Sequence, residues 1–324
     1  MLKVGLVGIG GIGNVHFNAY KGIADAEVVA VADVRVEMAK QKTEGTGARV
    51  YSSLDELLKN EKVDIIDICT PSYLHMEMAE AALLAGCHVI CEKPMSISSA
   101  DTERVIKIAK QSGKAFMIAQ VVRFMKPYVY LRWVIESGVL GKPVHFDMKR
   151  ISKIPMWSYE DWIRDFSKSG GAPFDLSIHD LDFIYSIFGE PKSVNGIYQK
   201  LNENNDYIVS NLVYDSFSAT VTGAWHNAEI PFNAGYYAVF EKGTVKLDGG
   251  KVYKNEVEVD LESTDEDLNG ETGINIKGTD GYADEIEYFV SCVKSGALPD
   301  KVTPESSQGS VRLVERILEN VIMI

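Results

Sequence analysis

No run of this 324-residue chain is apolar for the length that a bilayer crossing demands. Met1 leads directly into Leu2–Val7, without the basic, apolar and small-residue succession of a secretory signal. Four cysteines, at positions 69, 87, 91 and 292, show neither metal-type nor disulfide-framework spacing. Three of them, Cys69, Cys87 and Cys91, lie on or beside apolar strand-like runs, the setting of a buried free thiol. Basic residues are in deficit: 33 Lys and Arg against 46 Asp and Glu give a formal charge of −13. That balance argues against nucleic acid or an anionic membrane as the main partner. An anionic substrate stays open, because a local pocket can be basic on an acidic protein. Low-complexity tracts and short-period repeats are absent. The expectation from these absences is a soluble protein of a reducing, cytoplasmic compartment.

What is present begins with a strand, Leu2–Val7, followed at once by Gly8–Ile9–Gly10–Gly11–Ile12–Gly13 and a helix-length run from Asn14 to Gly22. A second apolar run, Val28–Ala32, ends at Asp33. This is the strand, glycine turn, helix and acid-ended strand of a dinucleotide-binding unit. Gly8 makes the tight turn, Gly10 leaves room for a pyrophosphate at the helix N-terminus, and Gly13 lets helix and strand pack closely. Asp33 suits the two ribose hydroxyls of NAD and would repel a 2′-phosphate. Arg35 and Lys40 keep NADP possible, since either can turn to counter that phosphate.

Apolar runs then alternate with helical ones: a Ser53-capped short helix, Val63–Cys69 ending at Thr70–Pro71, a helix from His75 to Ala85, and His88–Glu92 before Lys93–Pro94. Ser98–Ser112 is helical and Lys114–Ala119 extended. Near-continuous apolar strands between helices indicate a parallel sheet covered on both faces. After Val122 the period changes. A helix over Lys126–Glu136 precedes alternating stretches from Lys142 to Tyr253, including a hairpin through Asp248–Gly249–Gly250. The expected fold is α/β: a Rossmann domain over 1–122, then an α/β domain over 123–324 with a largely antiparallel open sheet. Residues 262–280 read as an acidic loop, and two helices, roughly 280–295 and 305–320, close the chain.

Three stretches can carry chemistry. Lys93 stands at the carboxyl end of a parallel strand, where open α/β sheets place ligands. It can donate to a substrate hydroxyl and ease developing negative charge. In the stretch from Ser169 to Asp182, helical spacing sets Asp175, His179 and Asp182 on one face. His179 suits proton transfer near neutrality and Asp175 can orient it or the substrate. Two carboxylates and one imidazole without further clustered ligands make a poor metal site, and none is expected. The third stretch, Trp157 to Arg164, offers Trp157, Tyr159, Trp162 and Arg164 as pocket walls or as ordinary packing.

The Gly8–Gly13 loop, Thr70–Pro71 with His75, Glu92–Lys93–Pro94, and Gly170–Gly171 with Asp175, His179 and Asp182 together resemble the Gfo/Idh/MocA family over nearly the whole length. The resemblance implies an NAD-dependent dehydrogenase in which Lys93 contacts cofactor and substrate, His179 is the acid/base, and Asp175 positions the substrate. It places Thr70, Pro71, His75 and Glu92 beside the nicotinamide, makes Arg123 a pocket residue, and gives the second domain's sheet an oligomer interface. Val122 departs from the pattern, because many relatives carry a polar or basic residue just before the arginine.

The expected activity is hydride transfer between NAD and a secondary hydroxyl of a sugar, cyclitol or derivative, in a homodimer or homotetramer. Lys93, Arg123, Tyr159, Trp162, Asp175 and His179 form the expected substrate set. Two alternatives accompany it: a glycoside-cleaving enzyme that uses bound NAD transiently, and a non-catalytic NAD-binding regulator.

Overall fold

The computed structural model describes residues 1–156, 158–261 and 281–324. Trp157 and the acidic stretch 262–280 lie outside them. The chain divides into two compact units, Met1–Val121 with Asp280–Gln308, and Val122–Thr279 with Gly309–Ile324. A single crossing at 122/123, as expected from the sequence, would leave 281–308 with the second unit.

In the first unit the strands are β1 (Leu2–Val7), β2 (Ala26–Ala32), β3 (Arg49–Tyr51), β4 (Ile65–Ile68), β5 (His88–Glu92) and β6 (Phe116–Ala119). They pair, all parallel, in the order β3-β2-β1-β4-β5-β6. Helices α1 (Gly11–Tyr20), α2 (Val36–Lys42), α3 (Leu54–Asn60), α4 (His75–Leu84) and α5 (Ser99–Ser112) make the crossovers. Ser53 caps α3 by accepting the Glu56 N–H. Every residue of β4 and β6 is buried, as strands covered on both faces require. α2 and β3 were not legible, being short and polar.

The second unit begins with α6 (Lys126–Ser137), β7 (Pro143–Lys153), a short α7 (Phe166–Ser169) and α8 (Ile178–Phe188). Its further strands are β8 (Ser193–Lys200), β9 (Asp206–Val213), β10 (Ser218–His226), β11 (Asn233–Phe240), β12 (Gly243–Asp248), β13 (Lys251–Lys254) and β14 (Val257–Val259). The chain ends with α9 (Gly281–Ser295), α10 (Pro304–Leu318) and β15 (Val321–Met323). α9 packs against α1, β5 and β6, which is why it counts with the first unit. The nine-stranded order is β14-β13-β12-β11-β7-β10-β9-β8-β15. Its pairs are antiparallel except β7–β10 and β8–β15, so the sheet is mixed. β12 and β13 form the expected hairpin, with Asp248 opposite Lys251.

Alternation in these strands separates two faces. The inner one carries Phe146, Tyr214, Tyr236 and Phe240, all buried. Phe146 meets Phe188, Phe217 and Phe240 ring to ring. Aromatic residues in these strands are compatible with either face of the sheet being apolar. Most of the aromatics turn inward, because their strand parity puts them under α6 and α8. Arg150 of β7 also points inward, 3.0 Å from Asp180 of α8, and both meet the Tyr128 hydroxyl at 2.7 Å. All three are buried. Asp180→Ala leaves the guanidinium buried without its counter-charge and should cost about 3–5 kcal/mol in chemical denaturation. Replacing Arg150 and Asp180 together with apolar residues of similar volume should cost less than that single change; a larger cost would show the pair to be a net stabiliser.

Candidate active site

In the first unit, chemistry collects at the carboxyl ends of the parallel strands. Gly8 has φ +84°, and a Cβ there would lie 2.7 Å from the Cys69 carbonyl oxygen. A Cβ at Gly13 would lie 1.8 Å from the Gly8 carbonyl oxygen, so strand and helix meet there only through glycine. A Cβ at Gly10 would meet nothing nearer than an Arg35 nitrogen at 3.5 Å, so the side of Gly10 where a side chain would stand is open beside the start of α1 at Gly11. Ile9 is buried and Ile12 half-buried. The loop fits a dinucleotide pyrophosphate: close approach, an open side at Gly10 and a helix N-terminus are all present.

Asp33 holds this loop from the side. Its Oδ2 accepts the Ile9 N–H at 2.9 Å, and its Oδ1 accepts the Arg35 N–H at 2.8 Å, with Arg35 Nε at 3.4 Å. Lys42 Nζ donates to the carbonyls of Ile9 and Gly10 at 2.7 and 3.0 Å. The sequence pointed to Lys40 as the second cation here. Lys40 instead pairs with Glu37 at 2.7 Å on an exposed surface, and Lys42 reaches the loop. Burial and the neighbouring Arg35 lower the Lys42 pKa.

Lys93 is half-buried just beyond β5, and the Lys93–Pro94 peptide is cis. His75, almost fully buried, bridges the Pro94 carbonyl at 2.8 Å and the Thr70 carbonyl at 2.9 Å. Burial lowers its pKa against the pull of those two acceptors. It therefore braces the bend at Thr70–Pro71 against the bend at Lys93–Pro94. Glu92 is buried too: its Oε2 accepts the Lys93 N–H at 3.0 Å, and its Oε1 lies 3.1 Å from His16 Nε2.

His16 was missed by sequence reasoning. It sits on the buried face of α1, with Nδ1 3.0 Å from Asp67 Oδ2. Burial pulls its pKa down, but the Asp67 carboxylate and Cys69 push harder, and the net is well above the ordinary value. The ring is a buried cation that ties α1 to the ends of β4 and β5. His16 with Asp67 and Cys69, or with Glu92 and Glu285, also has the spacing of a metal site. The protonated ring gives Asp67 and Glu92 a donor each, which meets their need without an ion. The available signal was Asp67, an acid inside the otherwise apolar Ile65–Ile68 strand, which demands a partner.

In the second unit, Gly170–Gly171 leads into a π turn, Pro173–Ser177, and then α8. The turn packs on β7 and β10, and Gly223 of β10 makes room for it: a Cβ there would lie 2.1 Å from Ser177 Oγ. Asp175 lies in this wide turn and His179 in the first turn of α8, both half-buried. Single-turn π segments recur at functional sites. Asp182, expected on the same face, is fully buried. Arg123 donates Nε and Nη2 to its two oxygens at 2.7 Å each, and Ser310 Oγ donates at 2.6 Å. Arg123 is thus committed to a buried carboxylate, and Val122 before it is buried. Tyr159 is exposed within a 3₁₀ stretch, Tyr159–Arg164. Trp162 packs against the cluster of Ile154, Ile163, Ala172, Leu176 and Trp225.

Residues 2–120 match the model of an oxidoreductase family with an NAD-binding Rossmann fold, and residues 128–246 match the GFO/IDH/MocA C-terminal domain. A myo-inositol 2-dehydrogenase of Thermotoga maritima is 28% identical over 314 residues, covering 92% of this chain and 90% of that one. A D-glucoside 3-dehydrogenase of Escherichia coli is 31% identical over 207 residues, covering 62% and 58%. The crystal structure of a myo-inositol 2-dehydrogenase from Lactobacillus plantarum superimposes with a TM-score of 0.82 at 21% identity, over 98% of this chain and 96% of that one. With a glycine cradle built for a dinucleotide and both family domains matched in order, this chain belongs to the Gfo/Idh/MocA family of NAD-dependent oxidoreductases.

Proposed function

We propose that this chain oxidises a secondary hydroxyl of a neutral polyhydroxylated ring, a cyclitol, sugar or sugar derivative, with NAD. The observation that carries it is a contrast of exposure: Asp175 and His179 remain half-exposed while Asp180 and Asp182, on the same helix, are buried and paired. Bound NAD supplies the nicotinamide carbon that receives the hydride. Gly8–Gly13 and the start of α1 hold its pyrophosphate, Asp33 its ribose, and Thr70, Pro71, His75 and Glu92 shape the nicotinamide side. Lys93 donates to the substrate oxygen and stabilises its developing charge. His179 takes the hydroxyl proton, and Asp175 orients ring or imidazole. Tyr159 and Trp162 provide a flat wall, and Arg123 serves from behind by neutralising Asp182.

Neutrality of the substrate is supported by the pairing of nearby cations. Arg123 faces Asp182, Arg164 faces Asp161 and Lys168 faces Asp165. The names of the inositol and glucoside dehydrogenases above support a ring bearing several hydroxyls. A closed homo-oligomer, dimer or tetramer, belongs to the same proposal. Ile197, Val213, Tyr237 and Ile322 stand exposed on the outward parity of the nine-stranded sheet, and a second copy is the economical cover for them.

His179→Ala should lower turnover by about 10²–10⁴ while leaving NAD binding, followed by calorimetry, nearly intact. Near-full activity in that variant removes His179 from the reaction. A panel of cyclitols, aldoses, amino sugars and uronic acids, followed by NADH absorbance with NAD and NADP in parallel, tests the substrate and cofactor readings together. Turnover confined to uronic or phosphorylated sugars would contradict the neutral ring, glycoside cleavage without released NADH would favour transient use of NAD, and a preference for NADP would shift the ribose role from Asp33 to Arg35 and Lys42. Light scattering should return at least twice the chain mass of 35.8 kDa at micromolar concentration; a single-chain mass throughout would defeat the oligomer.

A further inference from the structure

Beneath the Gly170–Gly171 bend lies a carboxylate that the proposed chemistry leaves without a task. Asp206, the first residue of β9, is fully buried. Its oxygens accept the Ala172 N–H at 3.0 and 3.2 Å, and Oδ2 also accepts the Tyr198 hydroxyl from β8 at 2.9 Å. Gly171 stands at φ +67°, and a Cβ there would lie 2.4 Å from Asp206 Oδ2. The carboxylate therefore presses closer to the backbone than any residue with a side chain permits. Ala172 opens directly into the π turn that carries Asp175, and α8 with His179 follows.

We infer that Asp206 is a positioning residue of the reaction: in its ionised form it clamps the Gly171–Ala172 backbone, and through that backbone it sets Asp175 and His179. The inference rests on the proposed roles of those two groups. Hydrogen bonds to an ionised acceptor are about twice as strong as neutral ones, so protonation loosens the clamp without removing it.

Among the described residues, few titratable or charged groups face Asp206. Tyr198 and Lys200 belong to β8, Lys200 being the cross-strand partner of Asp206; Asp175 belongs to the turn, and the residue opposite Asp206 on β10 is the uncharged Trp225. Burial raises its pKa; the Tyr198 and Ala172 donors oppose this, the Asp175 carboxylate adds to it, Lys200 opposes it, and the outcome is about 6. Burial and Asp206 itself hold the Tyr198 hydroxyl protonated, so it stays a donor through the accessible range. Turnover should therefore fall as pH drops through about 6. The stability sign is opposite. A carboxyl whose folded pKa exceeds its ordinary value binds more protons folded than unfolded, so its contribution to stability declines as pH rises towards about 6. Removing the charge therefore need not weaken the fold near neutrality.

The test is the pH dependence of kcat in wild type, Tyr198→Phe and Asp206→Asn, on a ring polyol that the wild type oxidises. Tyr198→Phe removes a donor that favours the ionised form and should move the acid limb up by about half a pH unit or more. Asp206→Asn keeps an acceptor for Ala172 but mimics the protonated state. It should show turnover at neutral pH reduced by about tenfold or more, and an acid limb that has lost the contribution of one proton. An acid limb that stays in place in either variant overturns the inference, because a purely structural carboxylate would lower activity without moving it. Should Asp206→Asn fail to fold, Tyr198→Phe decides alone. A wild type that oxidises nothing in the panel brings down the oxidoreductase reading of the site and this role with it; a wild type that turns over while its variants keep the limb brings down this role alone.

Discussion

A carboxylate taken out of water must bring a partner with it, and this constraint organises both units. In the first, Asp67 and Glu92 share the His16 imidazolium. In the second, Asp180 has Arg150 and Tyr128, and Asp182 has Arg123 and Ser310. Each pair ties a helix or loop to another element at a fixed distance. Half-exposed side chains at the ends of those elements, Lys93 beside Glu92 and His179 beside Asp180, inherit their placement from charges that never meet solvent.

That division of labour explains why so many acids and bases surround so few half-exposed ones. His75 and His16 carry the residue type that suggests proton transfer, yet one braces two backbone bends and the other is a structural cation. Asp182 shares helical spacing with His179 and serves packing. Which face of a helix is wet decides between these fates. Spacing alone reports only that the residues share it.

The features legible in the sequence are local ones. The glycine loop, the Ser53 cap and the Asp248–Gly250 hairpin each depend on neighbours within a few residues, so their residue types suffice to predict them. The parallel sheet was legible because strands buried on both faces lose their alternation. Hidden features share long range: His16 meets Glu92 across 76 residues, and Arg123 meets Asp182 across 59. Lys42 was overlooked in favour of Lys40 because two residues along a helix turn a side chain from water to the loop. The inward parity of Tyr214, Tyr236 and Phe240 likewise depends on register, which composition does not carry.

The path of the chain has a consequence for biogenesis. α9 completes the packing around α1, β5 and β6, yet it is separated from β6 by the strands β7–β14 of the other unit. A nascent chain emerging from the ribosome therefore exposes the side of the dinucleotide-binding sheet that α9 covers until all of β7–β14 has been made. Domains usually fold in the order in which they are synthesised. Here the unit that is started first waits for the sheet strands of the other before it can be finished, which places its period of greatest vulnerability to aggregation and to chaperone capture within translation itself.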